Sequence, residues 1–204
     1  YAAFFRGIGK KPVTGRDTPN FIANRIGVYS MLKVMRLAEK YRLDIETVDM
    51  ITGSPIGHPK SASYRLADMV GLDTLLHVTT NSYENCPDDE VRDELQPPAL
   101  LAKMVEAGRL GQKTGEGFYK KAGKGKILVL DPETFEYSPI RKPRADRVRV
   151  AKGYPSPADR VRVMCTGGDD PISAFARELV LATGAYSLNR LGEVAGDVLT
   201  IDNA

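Results

Sequence analysis

The sequence predicts a mainly α-helical protein that also contains a small β-hairpin and a partial second helical repeat. Up to residue 119 the apolar residues recur mostly at helical spacing. Between residues 126 and 138 two β-rich runs flank a short turn that contains a proline. From residue 169 onward the sequence faintly repeats its first helices, which is the pattern of a duplicated helical unit.

The composition is that of an ordinary globular protein. Hydrophobic residues make up 42% and charged residues 27% of the 204 residues. The net charge of +3 is too small to indicate a nucleic-acid partner. No apolar run approaches the roughly 20 residues that span a bilayer. We therefore expect neither nucleic acid nor membrane as a partner. The first residue is Tyr1 rather than Met, so we expect a fragment or a processed product.

The cysteines and histidines indicate no metal site. Cys86 and Cys165 lie far apart and form no CxxC motif, which argues against a disulfide scaffold and a zinc site. This cysteine usage favours a reducing, cytoplasmic location. His58 lies in a proline-flanked turn and His77 in a predicted helix, and neither has a partner at metal-ligand spacing. We expect both to be surface histidines and expect no metal.

The first two helices follow from capping residues and apolar periodicity. The first lies in "DTPNFIANRIGVYSMLKVMRLAEKY", with a broad apolar face. Its expected N-cap is Asp17 or Thr18, with Pro19 near the first helical position. A second helix is expected to begin after Asp44, as its N-cap, and to end near Gly53.

Two further helical regions follow. Residues 61–86 predict one or two helices, because Gly71 interrupts the pattern and Asp73 can cap a second helix. Pro98 then begins a helix that ends at Gly108.

A hairpin and a basic segment come next. The runs "KILVL" and "FEYSPI" flank the turn "DPET", whose proline in second position suits a type I turn. Residues 141–164 are basic and contain several prolines, which predicts a linker. The segment "ADRVRV" occurs in it twice, at 145–150 and 158–163. Its alternation of arginine and valine fits a solvated edge strand or an exposed tether.

Residues 169–204 faintly echo the first two helices. The segment "DPISAFAR" echoes "TPNFIANR", and "VLTIDNA" echoes "ETVDMI". Asp169 or Asp170 is the expected N-cap, followed by Pro171. The second copy stops where the first continues into "SPIGHP", so we expect a truncated second repeat.

Three segments resemble the C-terminal domain of the L-3-hydroxyacyl-CoA dehydrogenases of fatty-acid β-oxidation. They are "KKPVTGRDTPNFIANR" (10–25), "VDMITGSPIGHPKSASYRLADMVGLDT" (48–74) and "LLAKMVEAGRLGQKTGEGFYK" (100–120), in the family's order and spacing. The tail resembles the larger fused members, in which a second helical copy and an enoyl-CoA hydratase domain follow. The resemblance implies a helical domain like the C-terminal domain of 6-phosphogluconate dehydrogenase.

The resemblance also implies a domain organisation. Residues 1–16 would be the end of a Rossmann domain and a hinge, with a short helix and a strand. Residues 17–121 would be the 3-hydroxyacyl-CoA dehydrogenase C-terminal domain, and residues 122–168 a hairpin with a basic linker. Residues 169–204 would be the truncated second helical repeat.

The implied reaction is the NAD-dependent oxidation of an L-3-hydroxyacyl-CoA to the 3-ketoacyl-CoA. In this family the Rossmann domain binds most of the NAD and carries the catalytic Ser, His and Glu, none of which can be placed in this chain. The chain would thus be the substrate-side, cleft-closing part, inactive alone. Its implied partners are the acyl-CoA substrate, the Rossmann domain and, as a homodimer, a second copy. The alternative is a non-catalytic helical dimerisation or interaction module with the same fold.

Asn24 is the main candidate for a catalytic and substrate-binding residue. An amide on an apolar helix face needs a partner, so the residues alone favour a core amide bonded to a neighbouring loop. The resemblance instead implies that the asparagine of "FIANR" projects into the cleft near the 3-oxygen of the substrate. Arg25 is expected to anchor the helix through a carboxylate, either Asp68 or Asp49. Asn20 departs from the family, which has a glycine after the proline.

Lys113 is the candidate for cofactor binding. It lies in "GRLGQKTGEGFYKK" (108–121), whose glycines suggest a phosphate-binding loop. The segment is not a Walker motif, because Gln112 stands where the second glycine belongs. We expect the glycines to end a helix and turn the chain. The resemblance implies that the lysine contacts the bound NAD. The basic segment could similarly bind the anionic 3′-phospho-ADP end of coenzyme A, although a solvated surface is the simpler interpretation.

Overall fold

The structure, a computed structural model, describes residues 1–123, 125–141 and 143–204. It is mainly helical, as predicted. The helices are α1 (Ala2–Gly7), α2 (Ala23–Lys40), α3 (Ile45–Ile51), α4 (Tyr64–Val70), α5 (Leu72–Asn85), α6 (Arg92–Leu95), α7 (Ala99–Glu106), α8 (Asp146–Lys152), α9 (Pro157–Cys165), α10 (Pro171–Asn189) and α11 (Val198–Asp202). The strands are β1 (Tyr119–Ala122), β2 (Lys126–Leu130) and β3 (Tyr137–Pro139), and a short 3-10 helix covers Ser54–Ile56.

Helix α2 packs against α3, α5, α6 and α10. Leu37 belongs to the large core shared with α3, whereas Tyr29 and Leu32 belong to a second cluster that includes Tyr186 of α10. The rings of Tyr29 and Tyr186 stack with 4.0 Å between their centroids. The broad apolar face predicted for this helix is confirmed, and neighbours on more than one side bury it.

The predicted start of α2 at Asp17 to Pro19 is wrong, because the helix begins at Ala23. Asn20 and Phe21 have φ angles of 64° and 53°, in the left-handed region that a right-handed helix cannot pass through. Asparagine tolerates this region better than most residues, which agrees with the family glycine that Asn20 replaces.

The local helix signals elsewhere are largely confirmed. The side chains of Asp44 and Asp170 cap α3 and α10, each accepting a hydrogen bond from the backbone N–H three residues further on, at 2.7 and 3.0 Å. Gly71, with φ of 99°, separates α4 from α5 as predicted. Asp73 is not the cap of α5: that position belongs to Gly71, which has no side chain to contribute.

The predicted hairpin is confirmed and extended. Strands β2 and β3 are antiparallel, with Val129 opposite Ser138. Strand β1 adds to the other edge of β2, with Lys120 opposite Leu128, so that the sheet has the order β1-β2-β3. The segment "YKKA" of β1 has no β-branched residues, which is why its sequence did not predict a strand.

The prediction of a basic linker or edge strand at 141–164 is wrong. The segment forms α8 and α9, which pack on each other, and each copy of "ADRVRV" lies at the beginning of one helix. Val148, Ala151 and Met164 are buried against the core, while Arg149 and Arg162 are exposed. Helical spacing brings these apolar side chains to one face. The alternation of arginine and valine is also typical of a strand, and for that reason the sequence did not predict the helices. Lys142 lies outside the described residues.

Helices α10 and α11 lie where the second helical repeat was predicted. Asp197 caps α11 by accepting the N–H of Thr200 at 2.8 Å, just as Asp44 caps α3 through Thr47. Helix α10 packs on α2, but α11 has no buried residue. The shared cap supports the predicted helical repeat.

The first sixteen residues contain α1 but not the predicted strand. All sixteen lie in the part of the chain that the structure describes. A strand requires a ladder of backbone hydrogen bonds, whereas this segment makes a single bond to a distant part of the chain, from the N–H of Arg16 to the carbonyl oxygen of Val194 at 2.8 Å. Among the described helices, none combines the length and apolar character that crossing a membrane requires.

Asp68 in α4 organises the glycine-rich loop. Its carboxylate accepts the backbone N–H groups of Phe118 and Tyr119, both at 2.8 Å, and its carbonyl oxygen accepts the N–H of Gln112 at 2.9 Å. Burial raises the pKa of the Asp68 carboxyl to about 6, while the two backbone donors act in the opposite direction. Asp68 is therefore a structural residue that binds the loop to α4.

Two glycines of this loop are required by close approach to Asp68. A Cβ at Gly111 would overlap the carbonyl oxygen of Asp68, and a Cβ at Gly117 would overlap its carboxylate. Gly108 ends α7 with φ of 72°, which confirms the predicted helix end. The prediction that these glycines shape turns is thus confirmed, with a steric reason added.

Arg25 forms a buried ion cluster and is 1% exposed. Its guanidinium donates to the Asp89 carboxylate and, at 2.6 Å, to the hydroxyl of Tyr186. Arg190 donates to the same Asp89 carboxylate at 2.9 Å. The predicted anchoring role is supported by these contacts, but the predicted partners were wrong, because Asp68 and Asp49 bind backbone groups elsewhere.

We expect Asp68→Ala to lower the free energy of unfolding by about 2–4 kcal/mol, because it leaves the buried N–H groups of Phe118 and Tyr119 without an acceptor. Urea denaturation followed by circular dichroism measures this. Asp131→Ala is the matched control, since that carboxylate also accepts two backbone N–H groups, but in an exposed turn. Equal losses in the two variants would contradict the role of Asp68.

We expect Arg25→Met to lower the free energy of unfolding by about 3 kcal/mol, because Asp89 then keeps only Arg190 as a buried counter-charge. The control is Lys33→Met, which removes a less buried pair with Glu94 from the same helix. Chemical denaturation of both variants tests this. If Lys33→Met lowered the free energy of unfolding as much as Arg25→Met, the buried cluster would contribute no more to stability than the less buried pair.

Candidate functional site

Asn24 lies in the first turn of α2 with its side chain exposed. The interpretation of Asn24 as a core amide is therefore wrong. Phe21 is 60% exposed and Gly27 is also exposed, so the expected apolar face turns outward at this end of the helix. Only Val28, one turn further on, is buried. The amide of Asn24 is thus accessible from solvent, as the cleft interpretation requires.

The end of α2 that carries Asn24 is held rigidly. The next residue, Arg25, is fixed in the buried cluster with Asp89 and Tyr186. On the other side, the amide of Asn20 donates to the hydroxyl of Ser82 in α5 at 2.6 Å. An exposed amide between two such anchors can present its donor and acceptor in one direction.

Lys113 lies in the glycine-rich loop, and its ammonium contacts the carboxylate of Asp73, at the beginning of α5, at 2.5 Å. This hydrogen bond lowers the pKa of Asp73. The same carboxylate accepts the backbone N–H of Thr74 at 2.8 Å. Asp73 therefore sits where an anion would sit, between an ammonium and the positive end of a helix. Lys113 is 47% exposed, so a ligand can reach it.

The segments that carry Asn24 and Lys113 contact different parts of α5. Asn20, four residues before Asn24, donates to Ser82, whereas Lys113 donates to Asp73. Nine residues of helix separate Asp73 from Ser82, which corresponds to about 13 Å along the axis and half a turn around it. The points at which the two segments contact α5 therefore lie on opposite sides of that helix.

The two histidines are exposed, His58 just after the 3-10 helix and His77 within α5, as predicted. Among the described residues, no group of three His, Cys, Asp or Glu side chains is placed to hold a metal ion.

Sequence reasoning missed three residues around the candidates: Asp73, Asp89 and Tyr186. Asp73 was predicted only as a helix cap. The other two are 64 and 161 residues from Arg25 along the chain, and no local pattern connects them to it. The one available signal was the need of a buried arginine for a carboxylate.

The comparisons with known proteins agree with the resemblance. The family model described as 3-hydroxyacyl-CoA dehydrogenase, C-terminal domain, matches residues 21–121. A "probable 3-hydroxyacyl-CoA dehydrogenase" of Bacillus subtilis (strain 168) is 40% identical over 197 residues, which cover 97% of this chain and 25% of that protein. Its similarity therefore extends through the sheet and the second helical unit.

Two other relatives match about half of the chain. A protein of Deinococcus radiodurans, also named "probable 3-hydroxyacyl-CoA dehydrogenase", is 44% identical over 56% of this chain and 32% of its own length. The mitochondrial hydroxyacyl-coenzyme A dehydrogenase of Homo sapiens is 36% identical over 57% of this chain and 36% of its own length. The chain thus spans between 25% and 36% of the length of these relatives.

The matched range includes Asn24, Arg25, Asp68 and Lys113, so the exposed amide, its anchor, the loop that Asp68 holds and the exposed lysine are all parts of one domain type. The chain therefore belongs to the 3-hydroxyacyl-CoA dehydrogenase family, whose C-terminal domain it contains.

Proposed function

We propose that this chain is the substrate-side, cleft-closing part of an NAD-dependent L-3-hydroxyacyl-CoA dehydrogenase of fatty-acid β-oxidation. The observation that carries the proposal is the exposed Asn24 amide beside the buried and anchored Arg25. An anchor followed by a free polar side chain is expected where a helix presents one group to a ligand. The relatives' names support the reaction.

In this proposal Asn24 positions the substrate. Its amide N–H donates a hydrogen bond to the 3-oxygen, whose charge changes as hydride leaves or arrives. A pre-oriented neutral donor stabilises that charge without exchanging a proton itself. The exposed Phe21 provides apolar surface beside it for the acyl chain.

NAD supplies the hydride acceptor when it is bound, chiefly by the Rossmann domain. The residues of this chain fit a contact with a phosphate of the dinucleotide, because Lys113 and the N-terminal end of α5 already share the Asp73 carboxylate. A phosphate would compete with Asp73 for the ammonium of Lys113.

The Rossmann domain is the principal proposed partner. Asn24 and Lys113 are both exposed, and their segments contact opposite sides of α5, so we expect a second domain to complete a site that includes both. On this proposal the chain alone has no dehydrogenase activity, and the complete enzyme works in the cytoplasm.

The alternative is a non-catalytic helical dimerisation or interaction module. The exposed apolar side chains favour it, because such surfaces are typical of protein contacts. Those on α4, α10 and α11 are Leu66, Met69, Val70, Leu181, Leu188, Val198 and Leu199. The two functions differ in one measurement, namely whether the chain restores activity to a separately produced dinucleotide-binding domain.

We expect a mixture of this chain with such a Rossmann domain to oxidise NADH in the presence of acetoacetyl-CoA. Asn24→Ala should lower kcat about 100-fold, because it removes a donor that acts on the reacting oxygen. Steady-state kinetics that follow the absorbance of NADH measure this.

The control for this experiment is Asn85→Ala, which removes an exposed amide from the last turn of α5. It should leave kcat unchanged. Activity of the mixture that survives Asn24→Ala would rule out the role of Asn24, and absence of activity with any variant would favour the interaction module.

We expect Lys113→Met to raise the KM for NADH about tenfold, because one charge-assisted contact to phosphate is lost, with little change in kcat. The comparison is Asp73→Asn, which removes the competing carboxylate and should not raise KM. The contact with the dinucleotide would be refuted if KM stayed the same in Lys113→Met.

A further inference from the structure

A cavity of about 660 Å³ opens between the 3-10 helix, strand β1 and the segment that leads into α8. Its volume lies in the range of small-molecule sites. The wall combines the domain that the family model matches with the basic segment, of which Arg141 and Lys152 are part. None of the residues assigned to the proposed reaction lines it.

Four cationic side chains line this cavity: Lys60, Arg65, Arg141 and Lys152. They come from the turn after the 3-10 helix, from α4, from the segment after β3 and from the end of α8. Throughout residues 1–123, 125–141 and 143–204, no carboxylate lies within ion-pair distance of Lys60, Arg141 or Lys152. Positive charges from four places in the fold thus converge, and three of them have no carboxylate at ion-pair distance, while Arg65 lies 4.0 Å from Asp49.

The two carboxylates in the wall are already engaged by the protein. Asp49 accepts the backbone N–H of Tyr64 at 2.7 Å and the hydroxyl of Tyr119 at 2.8 Å. Glu46 accepts the backbone N–H of Arg141 at 3.0 Å. These carboxylates hold the walls together, and the cations at the rim remain available to a ligand.

Arg65 is held ready for such a ligand. Its guanidinium lies 4.3 Å from the ring centroid of Tyr119, and its Nε lies 4.0 Å from the Asp49 carboxylate. Stacking on a ring fixes the plane of a guanidinium and leaves its edge free to donate. Phosphate is the group that accepts from such an edge with two oxygens at once.

We propose that this cavity is a binding site for a small phosphate-bearing anion. Four converging cations, a fixed guanidinium and the volume of the cavity favour a phosphate ester over an isolated carboxylate. The site is separate from Asn24, because α3, which contributes Asp49, follows the far end of α2, about 24 Å along that helix from Asn24. The proposal does not depend on the proposed function.

The proposed site also accounts for part of the basic segment 141–164. Arg141 and Lys152 line the cavity. Arg149 and Arg162 instead form exposed ion pairs with aspartates of their own helices. Two sources share the required chemistry, namely free phosphate and the phosphate ester of a nucleotide or coenzyme.

Isothermal titration calorimetry on the whole chain tests this, at constant ionic strength because exposed charges are screened by salt. The probes are adenosine 3′,5′-bisphosphate, inorganic phosphate and, as an anion without phosphate, citrate. We expect the bisphosphate to bind and its Kd to rise about tenfold or more in the double variant Lys60→Gln, Arg141→Gln. The matched control is Lys121→Gln with Arg149→Gln, which removes one exposed lysine and one exposed arginine outside the cavity and should leave Kd unchanged.

The outcomes separate the sources and test the site. Tighter binding of the bisphosphate assigns the site to a phosphate ester, and equal binding of inorganic phosphate assigns it to phosphate itself. The proposal is overturned if citrate binds as tightly, if the double variant keeps the original Kd, or if neither phosphate probe binds at millimolar concentration. Thermal unfolding confirms that each variant is folded, and the single variant Lys152→Gln provides a second test with the same expected direction.

Discussion

The guanidinium of Arg25 lies almost completely buried, so its charge has to be met inside the protein. Asp89 and the hydroxyl of Tyr186 meet it, and Arg190 shares the same carboxylate. These groups belong to the beginning of α2, the loop before α6, the end of α10 and the turn after it. Separating any of them would leave a buried polar group unpaired, which is why these parts of the chain keep one arrangement. This arrangement fixes the end of α2 that carries the exposed Asn24.

A second constraint works in the same way on the other side of the domain. The carboxylate of Asp68 accepts hydrogen bonds from two backbone N–H groups of the glycine-rich loop, and its carbonyl oxygen accepts a third. The approach is so close that Gly111 and Gly117 have no room for a side chain. Lys113 extends from the stretch of loop between these two glycines. A pattern that suggests a phosphate loop is therefore mainly the result of one carboxylate packing against a backbone.

The two constraints place the functional candidates apart. Asn24 and Lys113 are both exposed, and the segments that carry them contact opposite sides of α5. An active site built on this domain alone would need them in one pocket, whereas a site shared with a second domain needs them only on surfaces that the partner can reach. The geometry therefore favours a shared site. The cationic cavity beside Tyr119, by contrast, is lined by residues of this chain.

The sequence by itself determined the features that depend on neighbouring residues. Asp44 caps a helix through a residue three positions away, and Gly71 interrupts one through its own φ angle, so both were predictable. The helices at 146–152 and 157–165 could not be predicted in this way, because their alternating residues are also compatible with a strand. Only packing against the core shows which of their side chains are buried. The partner of Arg25 was decided only by the tertiary structure. A buried charge requires a counter-charge, but the sequence does not say which of the chain's 26 acidic residues the fold will bring to it.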